Sequence, residues 1–424
     1  MIKEIKAEKT LLVNGPASVR LVSGKAEILG ASLNVGERIV VRAGKQIPFY
    51  IEENASLDIN HAKDSMVEEV EGDTIPISWK KMVEKTLALK KPTVVMIMGD
   101  VGSGKTSLCT FLANRALELK LGVAVIDADL GQSDIGPPTT VGLAYIRKPV
   151  KDLFHVRADD ICFVGFTSPG GAEERVAHCI VGFRNQVLRR KKDFLVINTD
   201  GWVEGEGAVQ YKVMLAESIL PNAVVGLEQE NELTPILSKL EKTPFLTVNP
   251  SAAVRKRDRE KRKALRELNY KKYLRNAKVE TFPLNWVRVE GIHSSPRLFL
   301  TNARLRKIGE TLGIHPLYCE ENVDTIWIVL KPNQRLDFEQ LLKFEEVFKK
   351  KVKVMQKGDE KGMIVGLHND ENKFLGLGIL YGVDYKRKIM KALTPVTQEV
   401  ASIRFGNVKL DDAYREIDTM TLCG

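Results

Sequence analysis

Nowhere in the 424 residues does an uninterrupted apolar run approach the roughly 20 needed to span a bilayer, and the opening MIKEIKAEKT has no apolar segment of signal-peptide type. A cytoplasmic protein without a membrane partner is expected. Cysteine is scarce as well: Cys109, Cys162, Cys179, Cys319 and Cys423 lie far apart, with no C-x-x-C pair and no spacing suited to zinc. They read as reduced thiols in the core or on the surface. No low-complexity linker and no internal repeat is visible. The guanine-reading N-K-x-D tetrad is missing too, which argues against a GTPase.

The length exceeds that of one ordinary hydrophobic core, so two or three domains are expected. Lys+Arg 64 against Asp+Glu 55 leaves a net charge of +9, a basic excess that suits a polyanionic partner only where it clusters. Residues 1–75 alternate in GERIVVRAG and KQIPFYIEE between glycine and asparagine turns, the pattern of a small β domain. From Pro76 a helix ISWKKMVEKTLALKK gives way to alternating strands and helices, which predicts an α/β doubly wound parallel sheet over 76–314. Apolar strands are expected at Val94–Met98, Val123–Ile126, Phe194–Ile197, Ala223–Leu227 and Phe245–Val248. From His315 to the end, TIWIVLK, GMIVGLH, KFLGLGILYGV and SIRFGNVKL predict a second small β domain, over 315–424.

The first of those strands runs into Gly99-Asp100-Val101-Gly102-Ser103-Gly104-Lys105-Thr106-Ser107, which fits the Walker A pattern G-x-x-x-x-G-K-[ST]. In such a P-loop, consecutive backbone N–H groups cradle phosphate oxygens, the lysine reaches the β- and γ-phosphates, and the threonine hydroxyl binds Mg²⁺. The helix that follows aims its positive dipole end at the same anion. Residues 99–107 are therefore the expected ATP-binding set.

Four further segments stand where an open α/β sheet binds ligands, at the carboxyl ends of its strands. Asp127-Ala-Asp129-Leu-Gly131-Gln132 closes the strand after the P-loop helix, and two carboxylates two apart on a strand share one face. A turn cap is the bland alternative. Thr199-Asp200-Gly201-Trp202 closes the next strand; Asp200 is a candidate to order magnesium, and Trp202 either plugs the core or offers a flat face to a base. The segment Val164–Gly171, with Thr167 and Ser168, suits close approach of a sugar-phosphate chain. Last comes the basic run within 252–278, where Arg255, Arg257, Arg259, Arg262, Arg266 and Arg275 stand among lysines. It is either a solvated helix or an arginine lid over a transferred phosphate.

Together these segments resemble the polynucleotide 5′-hydroxyl kinase family, which includes the kinase subunit of messenger-RNA cleavage factor and of the tRNA-splicing complex. The β, P-loop, β order over the whole chain is most similar to the cleavage-factor branch, in a stand-alone prokaryotic form. The resemblance implies transfer of the ATP γ-phosphoryl group to the 5′-hydroxyl of a single-stranded RNA end, with DNA as a further acceptor, in RNA processing or repair. It implies ATP and Mg²⁺ or another divalent cation, and RNA-processing protein partners. By the same resemblance Lys105, Asp129, Arg255 and Arg259 are catalytic, the last two as an R-x-x-x-R pair whose register the neighbouring arginines leave open. Thr106 and Asp129 would hold the metal, while Asp127, Gln132, Thr167, Ser168, Thr199, Gly201 and Trp202 would meet the substrate. Two other functions remain open from the residues: a kinase of nucleosides or nucleotides, and an ATP-bound scaffold subunit that does not turn over.

Overall fold

The computed structural model describes residues 1–63, 65–240, 243–254, 258–290, 301–321 and 325–418. Two compact units divide the chain at Arg266 and Glu267.

The first unit opens with a seven-stranded antiparallel sheet, in which Ala17–Ile28 and Gln46–His61 are long enough to pair with several shorter strands each. Alternation along Gln46–His61 sends Ile47, Phe49, Ile51, Leu57 and Ile59 inward, onto Leu11, Val13, Val19, Leu21 and Ile28. Period-two burial of β-branched and aromatic residues is what holds such a sheet together.

After Val67–Glu71 the chain enters helix Ile77–Leu87 and then a second seven-stranded sheet. Its order is Asp160–Phe163, Thr140–Ile146, Val123–Ala128, Phe194–Thr199, Thr93–Gly99, Ala223–Leu227, Phe245–Val248. The last five run parallel, as expected. Thr140–Ile146 runs antiparallel to both its neighbours, so the sheet is mixed and not wholly parallel.

Helices cover both faces. Val94, Met96 and Met98 face helices Glu173–Arg189 and Glu206–Ile219 through Val176, Ile180, Phe183 and Leu215. Val95 and Ile97, one residue out of phase, face Ile77–Leu87 and Lys105–Glu118 through Trp79, Met82, Leu108 and Phe111. Strands apolar on both sides read as unbroken hydrophobic runs, which is why they were legible.

The cysteines depart from expectation. Cys162, on the edge strand Asp160–Phe163, is disulfide-bonded to Cys179 on Glu173–Arg189, which packs beside it. Cys109 and Cys319 are free thiols; Cys423 lies outside the described residues.

The second unit begins earlier than the expected boundary at 315. Lys278–Pro283 and Arg288–Glu290 join a sheet with Met363–His368, Phe374–Asp384, Ile389–Thr394 and Ser402–Leu410. The unit is also not purely β. Helices Asn302–Leu312 and Phe338–Phe348 cover a separate three-stranded sheet, with Ile308, Leu312, Ile326, Ile328, Phe344 and Phe348 between them.

Candidate active site

The glycine-rich loop follows the end of Thr93–Gly99. The chain turns there and re-enters helix at Lys105, with Gly104 at φ 103, a left-handed conformation open to glycine; a Cβ on it would stand 2.9 Å from Val254 Cγ2. Lys105 is 5% exposed, and its ammonium donates to the carbonyls of Gly99 and Asp100, both at 2.8 Å. Burial lowers its pKa, and Asp129 opposes that shift. Ser103 Oγ is buried without a hydrogen-bond partner among the described residues, a donor suited to a phosphate oxygen.

The paired aspartates part company. The strand ends at Ala128, so the period-two argument that set Asp127 and Asp129 on one face stops one residue short. Asp127 is fully buried: Oδ1 accepts from Asn198 Nδ2 at 2.9 Å, and Oδ2 from the backbone N–H of Asp134 at 2.7 Å and of Ile135 at 3.0 Å. Its oxygens are spent inside the protein, so the expected substrate contact is corrected to a structural one. Burial, with Asp134 and Asp129 nearby, raises its pKa to about 7. Asp129 is partly exposed, and its Oδ1 accepts from Gly131 N at 3.2 Å and Gln132 N at 2.9 Å. Burial raises its pKa while Lys105 pulls it down.

Asn198, which the sequence reading passed over, links the two halves. Its Nδ2 reaches Asp127 Oδ1 and lies 3.4 Å from Thr106 Oγ1, and its Oδ1 is buried without a partner among the described residues. A threonine hydroxyl, an amide oxygen and the carboxylate of Asp129 are hard oxygen donors of the kind Mg²⁺ takes.

The next segment is held from beneath. Thr199 is fully buried, with Oγ1 donating to Ile97 O at 2.8 Å, and so supports the loop instead of meeting a substrate as expected. Asp200 Oδ1 accepts from Trp202 N at 2.9 Å; Oδ2 accepts from Tyr211 OH at 3.1 Å and Lys212 Nζ at 2.9 Å. Both oxygens are engaged, which corrects the reading of Asp200 as a magnesium ligand. Gly201 presses on the P-loop: a Cβ there would stand 2.6 Å from Val101 Cγ2 and 2.8 Å from Val101 N. Trp202 is half-buried against the core and stacks on Tyr211, ring centroids 5.8 Å apart at 23°. Lys212 was hidden to sequence reading; its one mark is a charge within an otherwise buried helical stripe, with Ala208, Tyr211 and Leu215.

The basic run forms helix Arg259–Tyr273. Arg255 and Arg257 lie outside the described residues, and Arg259 is exposed at the helix start. Arg262 and Arg266, also four apart, are half-buried and lie beside the aspartate turn, Arg262 by its backbone carbonyl and Arg266 by its guanidinium. Gln132 Nε2 donates to Arg262 O at 3.1 Å, and a Cβ on Gly131 would stand 2.8 Å from Thr167 O and 4.0 Å from Arg266 Nη1. Asp129, Gly131, Gln132, Thr167 and the start of helix Arg259–Tyr273 are thus neighbours, with the exposed Ser168 beside them. The N-terminal sheet braces the same turn from behind: Arg42 Nη2 and Lys45 Nζ pair with Asp134 at 2.9 and 3.0 Å and with Asp152 at 3.3 and 3.4 Å. Burial would raise the Asp134 pKa, but Lys45 and Arg42 hold it below the usual range.

Among the described residues no helix is long and apolar enough to cross a membrane. Residues 99–276 match the family model described as the mRNA cleavage and polyadenylation factor CLP1 P-loop. The chain is 31% identical to the polyribonucleotide 5′-hydroxyl-kinase of Pyrococcus abyssi over 344 residues, 79% of this chain and 92% of that protein. To the polyribonucleotide 5′-hydroxyl-kinase of Pyrococcus furiosus it is 30% identical over 360 residues, 81% of this chain and 95% of the other. In fold it is similar to Clp1p solved in complex with a segment of Pcf11p: TM-score 0.66, 14% identity, 96% of this chain and 97% of that one.

Proposed function

The chain belongs to the polyribonucleotide 5′-hydroxyl-kinase family, and from that premise we propose that it transfers the γ-phosphoryl group of ATP to the 5′-hydroxyl end of single-stranded RNA, with Asp129 as proton acceptor. The observation that carries this division of roles is the place of Asp129. It is the partly exposed carboxylate of its pair, it lies in the field of Lys105, and its turn touches the lid helix through Gln132.

Phosphoryl transfer proceeds through a loose transition state, so catalysis rests on positioning and charge neutralisation. Backbone N–H groups of 99–107 and the Ser103 hydroxyl bind the phosphates of ATP. Lys105 leaves the carbonyls of Gly99 and Asp100 to reach the transferring group. Mg²⁺, when bound, neutralises charge on the β- and γ-phosphate oxygens, and Thr106, Asn198 and Asp129 are the residues that would hold it. Arg262 and Arg266 stand beside Arg255 and Arg259 as the candidate lid pair, since the Arg262 carbonyl and Arg266 Nη1 lie next to the aspartate turn. Asp129 orients the 5′-hydroxyl and takes its proton; burial raises its basicity, which suits that task. Trp202 stacks on the terminal base, and Ser168 and Thr167 flank the strand.

The test is incubation with γ-labelled ATP and short single strands bearing either 5′-hydroxyl or 5′-phosphate ends. Label confined to 5′-hydroxyl RNA is expected. Label on nucleosides or mononucleotides alone would identify a small-molecule kinase, and ATP binding without transfer a scaffold.

A further inference from the structure

Far along the chain from the P-loop, the second unit exposes a tryptophan that no core uses. Lys278–Pro283 pairs antiparallel with Ile389–Thr394, with Pro283 opposite Ile389, so the chain leaving one strand and the chain entering the other meet at the same end of the sheet. After Pro283 the backbone turns tightly, with Trp286 N and Val287 N both donating to Pro283 O. Before Ile389 stands the hairpin turn Tyr385-Lys386-Arg387-Lys388, closed by the pairing of Asp384 with Ile389. Leu284 N donates to Lys388 O at 2.9 Å and holds the two turns side by side.

Their side chains divide sharply. Val287 and Val289 are 6% and 8% exposed and anchor the first turn, whereas Trp286 is 79% exposed. In the second turn Lys386, Arg387 and Lys388 are all exposed. Asp384 accepts from Lys386 N at 3.1 Å and Arg387 N at 3.0 Å, and Tyr385 packs its ring 5.7 Å from that of Tyr318. The turn is thereby fixed, with its three cations exposed and Arg387 Nε 3.9 Å from Asp384 Oδ2.

A flat exposed indole beside three cations on a fixed turn has the two elements that grip a single strand without reading its sequence: a face on which any base stacks, and charges that displace phosphate counterions. We infer that Trp286 with Lys386, Arg387 and Lys388 forms a single-stranded RNA contact belonging to the second unit. The choice of RNA over an acidic protein segment rests on the reading of the chain as an RNA kinase. Trp286 stacks on one base while the basic turn tracks the adjoining phosphates.

The full chain tests this by fluorescence anisotropy with an unstructured 20-nucleotide RNA over a salt series. Trp286→Ala is expected to weaken binding about 5- to 150-fold, the range of one lost base stack, and Trp286→Phe to recover most of it. The combined Lys386→Gln, Arg387→Gln, Lys388→Gln variant is expected to flatten the slope of log affinity against log salt by about 2, three phosphates at roughly 0.7 each. Turnover on a trinucleotide 5′-hydroxyl acceptor should match wild type in all of them. Wild-type affinity and slope in these variants would overturn the inference, as would unchanged RNA binding with weakened binding of poly-glutamate. So would a melting temperature many degrees lower for Trp286→Ala, which would assign the ring to packing. Binding alone judges this contact, whereas phosphorylation of 5′-hydroxyl strands by the wild type alone judges the kinase reading, so the two fail separately.

Discussion

Lys212 Nζ lies 2.9 Å from Asp200 Oδ2, and the lysine has no exposed surface. A buried ion pair survives only where further hydrogen bonds satisfy it. Here the ammonium also donates to Thr199 Oγ1 and Asp200 O, while the carboxylate takes Trp202 N and Tyr211 OH. The pair therefore shapes the loop that presses Gly201 on the P-loop and presents Trp202. Removing one partner is expected to cost about 3 to 5 kcal/mol, because the other charge stays buried alone. Lys212→Met should show that loss in denaturant melts, and Lys212→Met with Asp200→Asn should regain most of it. In whichever variant folds, KM for RNA should rise more than KM for ATP. Equal rises would make the pair a support of the whole fold and not of this loop.

Asp127 carries a pH dependence of definite sign. Folded, it keeps its proton up to about pH 7; unfolded, it releases it near 3.8. Between those values the folded state binds more protons, so this contribution is fully present below pH 3.8 and is lost as pH rises through about 7. With a shift of this size the change amounts to a few kcal/mol. Asp127→Asn should lack it, so the stability difference between variant and wild type, measured by urea unfolding, should move in the variant's favour from pH 4 to 7 and then level off. A constant difference would give Asp127 an ordinary carboxyl pKa.

For the lid, Arg262→Ala and Arg266→Ala should each lower kcat by about 10- to 1000-fold, the scale of one preorganised donor, with smaller effects on RNA affinity. Arg259→Ala, exposed at the helix start, should do far less. Steady-state kinetics on a 5′-hydroxyl oligonucleotide decide the register: a dominant Arg259 effect would return the pair to 255 and 259.

The P-loop and its flanking strands were legible because a glycine-rich anion loop and a strand apolar on both faces each leave a local pattern. Thr140–Ile146 was not among the expected strands, and its antiparallel direction is a property of pairing that no local apolar run carries. The Asp127 misreading has a local cause, the end of the strand at Ala128. Cys162 and Cys179 are 17 residues apart, and nothing in that spacing reveals that an edge strand and a helix bring them together. The arginine register was open for a similar reason. Two R-x-x-x-R pairs fit the run, 255/259 and 262/266; the contacts of the Arg262 carbonyl with Gln132 and of Arg266 near Gly131 make the second a candidate beside the first, whose Arg255 lies outside the described residues.

The geometry of Trp202 leaves room for both roles that its sequence context set as alternatives. It packs on the core and stacks on Tyr211, yet stays partly exposed. Trp202→Ala should therefore lose stability by less than the about 3 to 5 kcal/mol of a fully buried ring. It should also lose about 1 to 3 kcal/mol of affinity for a 5′-hydroxyl oligonucleotide, whatever its sequence, since every base offers a face to stack on. ATP binding should change little, because the phosphate contacts come from the loop backbone and Lys105. Trp202→Phe keeps a stackable ring against Tyr211 and should recover much of both losses. Melting beside oligonucleotide titration separates the contributions: a large fall in melting temperature with unchanged affinity of the folded variant would leave Trp202 to the core and return the base-stacking role to another residue.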